Sequence, residues 1–127
     1  MTTDSLRPLV DLLKALAHPV RLRIIALLRD GELCVCEVAE VLQLAPSTVS
    51  EHLTDLRRAG LVQERKVGRW VHVALTETAE ARPVMDAVWP LMAAAEPELA
   101  RDRAQALALR SAAGAPSPQP DPVSDLV

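Results

Sequence analysis

The stretch LAPSTVSEHLTDLRRAG, residues 44–60, decides the fold, because it has the pattern of a helix with clear ends. Pro46 suits the first turn of a helix, and Gly60 can end one. Apolar residues at helical spacing predict one buried stripe, formed by Val49, Leu53 and Leu56. Residues 36–43 predict a short helix just before it. Two helices joined by a tight connection are typical of a helix-turn-helix.

The next stretch, LVQERKVGRWVHVAL at residues 61–75, changes period and is rich in β-branched residues. Side chains that alternate along the chain, together with a turn at KVGR, predict a β-hairpin with strands at roughly 61–67 and 69–75. A helix pair followed by a basic-tipped hairpin makes a winged helix-turn-helix. Its second helix fits the major groove of DNA, and its hairpin reaches the flanking backbone or minor groove.

The rest of the chain predicts more helix. Leucines at spacings of three and four indicate a helix over 5–17, and a second begins at Pro19 and ends before Gly31. Residues 76–110 contain Pro83, Pro90 and Pro97, which predict two shorter or kinked helices. We therefore expect an α+β, mostly helical domain over residues 1–110. The Pro-rich segment 111–127 is predicted to be a disordered tail.

Composition limits the class of protein. The 127 residues are 50% hydrophobic but include two Trp, no Phe and no Tyr, which favours a helical aliphatic core. The net charge of -3 is uneven, with +1 over residues 1–75, so it is no argument against DNA binding. No apolar run approaches the ~20 residues that cross a bilayer, and we expect a cytoplasmic protein without a membrane partner.

Polar and basic side chains outside the buried stripe are the candidate DNA contacts. They are Ser47, Thr48, Ser50, His52 and Thr54 on the helix, Arg57 and Arg58 at its end, and Arg65, Lys66 and Arg69 at the hairpin tip. Two alternatives stay open: Ser47 as a helix cap, and Arg57 with Arg58 as a solvated helix end. Glu51 and Asp55 disfavour phosphate, so they point away, read cytosine or weaken binding.

Residues 13–75, LKALAHPVRLRIIALLRDGELCVCEVAEVLQLAPSTVSEHLTDLRRAGLVQERKVGRWVHVAL, resemble the ArsR/SmtB family of metal-sensing repressors. The segments LAHPVRLRII, STVSEHL, LRRAGLV and GRWVHVAL stand in family order. ELCVCE, residues 32–37, resembles the arsenic-sensing branch. The resemblance implies a homodimer held by its first and last helices. It also implies that the dimer represses transcription from a two-fold operator until an inducer releases it.

Three departures from the family pattern matter. Ala39 stands where the arsenic-sensing branch has a third cysteine, and Glu51 replaces a basic residue. The three prolines interrupt what is commonly a continuous dimer helix. The family's other site uses Asp and His on the final helix, and this chain has no His after His72.

Cys34 and Cys36 are the only cysteines, and thiolates are soft ligands that select thiophilic ions such as As(III) and Sb(III). Side chains at i and i+2 of a regular helix diverge by about 200°, so both can bind one ion only where the backbone is extended or starting to coil. We therefore expect the metalloid to unwind or hold open the first turn of the third helix. The third ligand is water, a small thiol or an unplaced residue, and a methylated arsenical needs none. Zn(II) is less favoured.

Other interpretations of the two cysteines remain. They can pack as small apolar residues, or act as a redox pair. The chain would then be a redox-responsive or inducer-independent DNA-binding regulator, or an interaction module that has lost DNA binding. The sequence has no nucleophile–base–orienter pattern and no phosphate-binding glycine loop, so we predict that it is not an enzyme and has no permanent cofactor.

Overall fold

The computed structural model describes residues 4–76 and 78–113. Helices of this part are α1 (Arg7–Leu16), α2 (Pro19–Leu28), α3 (Val35–Leu42), α4 (Pro46–Arg58), α5 (Ala81–Leu91) and α6 (Glu96–Ala113). Strands are β1 (Leu33–Cys34), β2 (Val62–Val67) and β3 (Trp70–Leu75). Short 3-10 helices span Asp4–Leu6 and Met92–Ala95. The α+β winged helix-turn-helix that the sequence predicts is confirmed.

The predicted hairpin is present, and a third strand joins it. Strands β2 and β3 are antiparallel and pair up to Val67 and Trp70, which leaves a two-residue loop. Gly68 in that loop has φ 64°, a conformation that glycine adopts at little cost. Strand β1 pairs with the other edge of β3, where Cys34 lies opposite His72. The sequence analysis missed β1, because two residues carry no strand periodicity.

Helix ends follow local signals in the sequence. His18 caps α2, since its Nδ1 accepts a hydrogen bond from the backbone N–H of Val20 at 3.1 Å. Gly31, with φ 141°, lies just beyond the end of α2, and Gly60, with φ 80°, lies beyond α4. The core is aliphatic, and Ile24, Leu27, Val49, Leu53 and Leu56 are fully buried.

Helix α1 has apolar residues on two faces. Leu12 and Leu16 are buried in the core. Leu6, Leu9 and Leu13, at spacings of three and four, are 43–53% exposed. An exposed leucine stripe of this kind is a candidate contact surface.

The C-terminal region forms two helices, as the prolines predict. Pro83 lies in the first turn of α5 and Pro97 in the first turn of α6, where no backbone N–H is needed. Pro90 lies near the end of α5, and a 3-10 turn follows it. Helix α6 extends to Ala113, three residues past the predicted boundary at 110. The remainder of the predicted tail, 114–127, lies outside the described residues.

Helix α6 folds back along α2 and α3. Ala106 is fully buried, and Leu99 and Asp102 are nearly so. No helix in the described ranges is both long enough and apolar enough to cross a membrane.

Candidate functional site

Helix α4 packs on α2 and α3 through the predicted stripe, because Val49, Leu53 and Leu56 are all fully buried. The opposite face carries Ser47 and Ser50, which are exposed, and Thr48, which is half-buried. The residue that caps α4 is Ala45, which makes no side-chain cap, so the interpretation of Ser47 as a cap is wrong. Ser47 lies in the first turn with its hydroxyl free of a capping role.

The hydroxyl of Thr54 is used within α4. Its Oγ1 donates a hydrogen bond to the backbone carbonyl of Ser50 at 2.9 Å. Such a bond is the usual way in which a threonine inside a helix satisfies its hydroxyl. Thr54 thus faces partly outward, but its hydroxyl hydrogen is already used in the bond to the carbonyl of Ser50.

His52 and Asp55 are joined to α2 by Arg21, which the sequence analysis did not single out. The Nε of Arg21 donates to Nδ1 of His52 at 3.1 Å, and its Nη2 donates to Oδ2 of Asp55 at 2.5 Å. Asp55 therefore points toward α2, which is one of the three outcomes that its sequence left open. Burial lowers the pKa of His52, and the neighbouring charges of His18 and Arg21 act in the same direction.

His18 also stacks near His52, with ring centroids 4.5 Å apart and ring planes tilted by 54°. The imidazole of His52 is thus held on one side by a ring and on the other by a guanidinium. A partly buried, neutral imidazole can accept a hydrogen bond from an arginine in this way. It fixes one nitrogen of the predicted DNA contact inside the protein.

The predicted basic residues divide into paired and exposed groups. Arg57 forms a 2.8 Å ion pair with Glu64 of β2, and Arg65 pairs with Glu32. The exposed side chains Arg58, Lys66 and Arg69 have no ion pair with another described residue.

Lys66 and Arg69 flank the tip of the hairpin, which is the wing. Exposed cations on a projecting hairpin attract phosphate without a desolvation cost. The wing tip is therefore the strongest candidate for a phosphate contact.

Glu32, at the start of ELCVCE, connects this segment to the wing. Its carboxylate accepts from Arg65, with one contact of 3.3 Å, and lies 3.5 Å from Nδ1 of His72 on β3. The pairing raises the pKa of Arg65, mainly through the hydrogen bond to Glu32. The segment that carries the two cysteines is thus tied to a predicted DNA contact.

The two cysteines lie where β1 becomes α3. Cys34 has an extended backbone, with φ -73° and ψ 148°, and is the residue that caps α3. Its N–H donates to Oε1 of Glu37 at 2.8 Å, which forms half of a capping box. Cys36 lies in the first turn of the helix. The Sγ of Cys36 donates to the Sγ of Cys34 at 2.9 Å.

This geometry corrects one expectation. We expected the metalloid to unwind or hold open the first turn of the third helix. Only Cys36 is helical, so the two side chains already converge with the helix intact.

The environment of Cys36 keeps its thiol protonated. Burial raises the pKa of Cys36 to about 12, and the hydrogen bond to Cys34 adds to the rise. Cys34 itself is 1% exposed and Cys36 is half-buried. Both are free thiols.

A third protein ligand is not found beside them. Within residues 4–76 and 78–113, no group of three or more His, Cys, Asp or Glu side chains is placed to hold a metal ion. Ala39, at the position of the third family cysteine, is buried in the core on α3. The described protein therefore offers two sulfurs and no closed site of four ligands, which argues against structural zinc.

Comparison with known proteins agrees with the fold. Residues 18–64 match the family described as bacterial regulatory protein, arsR family. The chain is 41% identical over 83 residues to the arsenical resistance operon repressor of Escherichia coli, a match that covers 63% of this chain and 71% of that protein.

Solved structures give the same assignment. HlyU from Vibrio cholerae superposes with a TM-score of 0.62 at 38% identity, over 72% of this chain and 97% of that one. A homodimeric winged helix-turn-helix DNA-binding domain from Mycobacterium bovis has a TM-score of 0.63 at 28% identity, over 73% of this chain and 86% of the other. The chain therefore belongs to the arsR family of bacterial regulatory proteins and is a DNA-binding transcriptional regulator, not an enzyme.

Proposed function

We propose that this protein is a homodimeric repressor that leaves its operator when trivalent arsenic or antimony binds Cys34 and Cys36. The observation that carries the proposal is the 2.9 Å contact between the two sulfurs at the start of α3. Soft sulfur ligands favour thiophilic ions, and As(III) and Sb(III) can bind fewer than four ligands. The name of the Escherichia coli relative supports an arsenic inducer.

DNA binding rests on α4 and the wing. The residues proposed to touch the operator are those that the sequence predicts: Ser47, Thr48, Ser50, His52, Thr54, Arg57, Arg58, Arg65, Lys66 and Arg69. Lys66, Arg69 and Arg58 are the best supported, because their side chains are exposed cations. His52 and Arg65 have partners within the protein, and DNA must compete with these for them.

The thiol pair is close to the elements that it must influence. Helix α3 packs against α4, and β1 pairs with β3 of the wing. A movement of the β1–α3 junction therefore reaches both predicted DNA-contacting elements. A ligand shifts this equilibrium only by binding one arrangement more tightly than the other.

A site with only two sulfur ligands limits which ions can act as the inducer. Arsenite or antimonite would complete its coordination with water, hydroxide or a small thiol. A monomethylated arsenical, with one bond taken by carbon, is satisfied by two thiolates. The proposal therefore includes inorganic As(III), Sb(III) and methylated arsenicals, and binding assays must compare them.

A redox response is the second candidate, because the same sulfur contact favours it. Two thiols 2.9 Å apart need little movement to form a disulfide on loss of two electrons and two protons to an oxidant such as peroxide. The two candidates share the cysteines and differ in the agent that releases DNA.

The decisive experiment measures release from operator DNA by fluorescence anisotropy. We expect arsenite to release the wild type and to leave Cys36→Ser bound at the same concentration. Arg101→Ala, an exposed change on α6 that leaves both thiols and the proposed DNA contacts in place, should still be released. If Cys34→Ser and Cys36→Ser both respond to arsenite as the wild type does, the thiol proposal is wrong. Release by peroxide alone would favour the redox candidate.

A further inference from the structure

Arginine contacts join α6 to α2 and to the connection that follows α2. Asp102, which is 6% exposed, accepts from Nε and Nη2 of Arg23 at 2.8 and 3.0 Å. Arg103 donates to both carboxylate oxygens of Asp30, at 2.7 and 2.9 Å. Paired, two-point contacts of this kind fix orientation as well as distance. Among the apolar side chains of α6, Leu99 and Ala106 are buried.

The last turns of α6 reach the segment that leads to the cysteines. The Nη2 of Arg110 donates to the carbonyl of Leu27 at 2.8 Å and to that of Gly31 at 2.6 Å. Its Nε lies 3.4 Å from the carbonyl of Glu32. A Cβ added to Gly31 would lie 3.4 Å from the same Nε, so the guanidinium sits tightly against the backbone.

Arg110 therefore satisfies carbonyls that α2 leaves open at its C-terminal end and holds the connection to β1. Burial lowers the pKa of Arg110, an effect that the nearby Asp30 opposes. Glu32 is held from both sides, by Arg110 at its carbonyl and by Arg65 at its carboxylate. Cys34 follows two residues later.

Occupation of the thiol pair requires this held segment to move. With thiolate–metal bonds of about 2.3 Å, two sulfurs on one ion at angles of about 90–109° lie roughly 3.3–3.8 Å apart. In the structure the Sγ of Cys36 donates a hydrogen bond to the Sγ of Cys34 across 2.9 Å. Binding therefore breaks their hydrogen bond and moves the sulfurs apart, and the β1–α3 junction adjusts without unwinding of α3.

We propose that Arg110 is a positioning residue that couples docking of α6 to occupation of the Cys34–Cys36 pair. The docked helix holds the segment in the arrangement that closes the two thiols on each other. An ion that separates the sulfurs works against this hold and loosens α6. Because coupling is reciprocal, loss of the Arg110 contacts favours ion binding by the same factor. The identity of the ion, trivalent arsenic or antimony, rests on the proposed function.

The test compares Arg110→Ala with Arg101→Ala, which removes an exposed arginine from the same helix. Sodium arsenite is titrated into each full-length protein, and sulfur-to-arsenic absorption reports binding. We expect Arg110→Ala to bind at least about fivefold more tightly, the lower end of typical coupling between sites, and Arg101→Ala to match the wild type.

A second measurement needs no variant at Arg110. Hydrogen exchange of peptides from residues 96–113 is followed in the wild type and in Cys36→Ser, with and without arsenite. We expect arsenite to speed exchange in the wild type and to leave Cys36→Ser unchanged. If Arg110→Ala fails to fold, this measurement decides alone, and unchanged exchange in the arsenite-bound wild type overturns the coupling.

The outcomes separate the two proposals. Equal arsenite affinities in Arg110→Ala and Arg101→Ala, with unchanged exchange, overturn the coupling and leave the inducer proposal standing. Absence of arsenite binding to the wild type defeats the inducer proposal instead. In that case, alkylation of Cys36 with iodoacetamide tests whether Arg110 keeps the two thiols closed on each other. If it does, alkylation is about fivefold faster in Arg110→Ala than in Arg101→Ala. Equal rates overturn the proposal.

Discussion

Glu32 shows how one side chain can matter to both the thiols and the wing. Its carboxylate pairs with Arg65, whose charge was predicted to meet phosphate. An exposed ion pair of this kind is weak, so phosphate can compete for the arginine. Lys66 and Arg69 have no such internal competitor among the described residues. The wing thus carries one occupied cation and two available ones.

We predict that changing Arg65, Lys66 and Arg69 together to alanine flattens the salt dependence of operator binding. Each phosphate contact contributes about 0.9 to the slope of log K against log salt, so a loss of roughly two to three units is expected. Fluorescence anisotropy between low and moderate salt measures the slope. Arg101→Ala on α6 is the control for net charge, and an unchanged slope in the triple variant would remove the wing from the interface.

His52 predicts a pH dependence of stability. Its pKa lies below the ordinary value of about 6.5, because the site is buried and next to Arg21 and His18. Above that value both the folded and unfolded forms are neutral, and His52 adds no slope. As the pH falls below about 6.5, the unfolded chain takes up the proton first, so the free energy of unfolding decreases.

We expect urea denaturation of the wild type to show this decrease between pH 6.5 and the lowered pKa, and His52→Gln to show a smaller one. Glutamine keeps an acceptor for Arg21 but does not titrate in this range. An identical pH profile in the two proteins would mean that another group is responsible.

At the scale of helices and strands, local signals predicted most of the fold. Prolines and glycines placed the helix ends, and apolar spacing gave the buried face of α4. Strand β1 was missed because its pairing with β3 depends on residues about forty positions away. The docking of α6 was missed for the same reason, since Arg23 and Asp102 are 79 residues apart and neither has a local signal.

The site was predictable to the same extent. Exposure of Ser47 and Ser50 followed from the helical period, whereas the spacing of the two cysteines allowed them to lie close only where the backbone is extended, as it is at Cys34. The internal partners of His52, Asp55 and Arg65 could not be predicted, because each lies on another element. Charged residues in an otherwise apolar helix, as at Arg21 and Arg23 in α2, are the one signal that could have indicated such a contact.

At the scale of the whole molecule, the exposed face of α1 predicts self-association. Leu6, Leu9 and Leu13 form an apolar stripe with no cover in the described chain. Leu91 at the end of α5 and Leu107 on α6 are 76% and 63% exposed. These surfaces support the proposed homodimer through the first and last helices, and two-fold symmetry would place two copies of α4 on one face.

We predict that Leu9→Asp converts the proposed dimer to a monomer. In a two-fold symmetric apolar contact the new carboxylate would be buried and would face the same carboxylate of the second copy. Sedimentation velocity at micromolar concentration measures the change. Val67→Asp on the wing is the matched control, since Val67 is 41% exposed and Leu9 is 43% exposed. A Leu9→Asp protein that remains dimeric would exclude α1 from the interface.

Cys34 has a consequence for how this family can change over evolutionary time. The residue at position 34 extends the sheet and caps α3, and serine, which is close to cysteine in size, is a preferred residue for the cap without sulfur. A single base change from cysteine to serine would therefore silence the proposed sensor while leaving a folded DNA-binding protein. Descendants of such a chain would keep the regulator and be free to acquire a different signal elsewhere on the same scaffold.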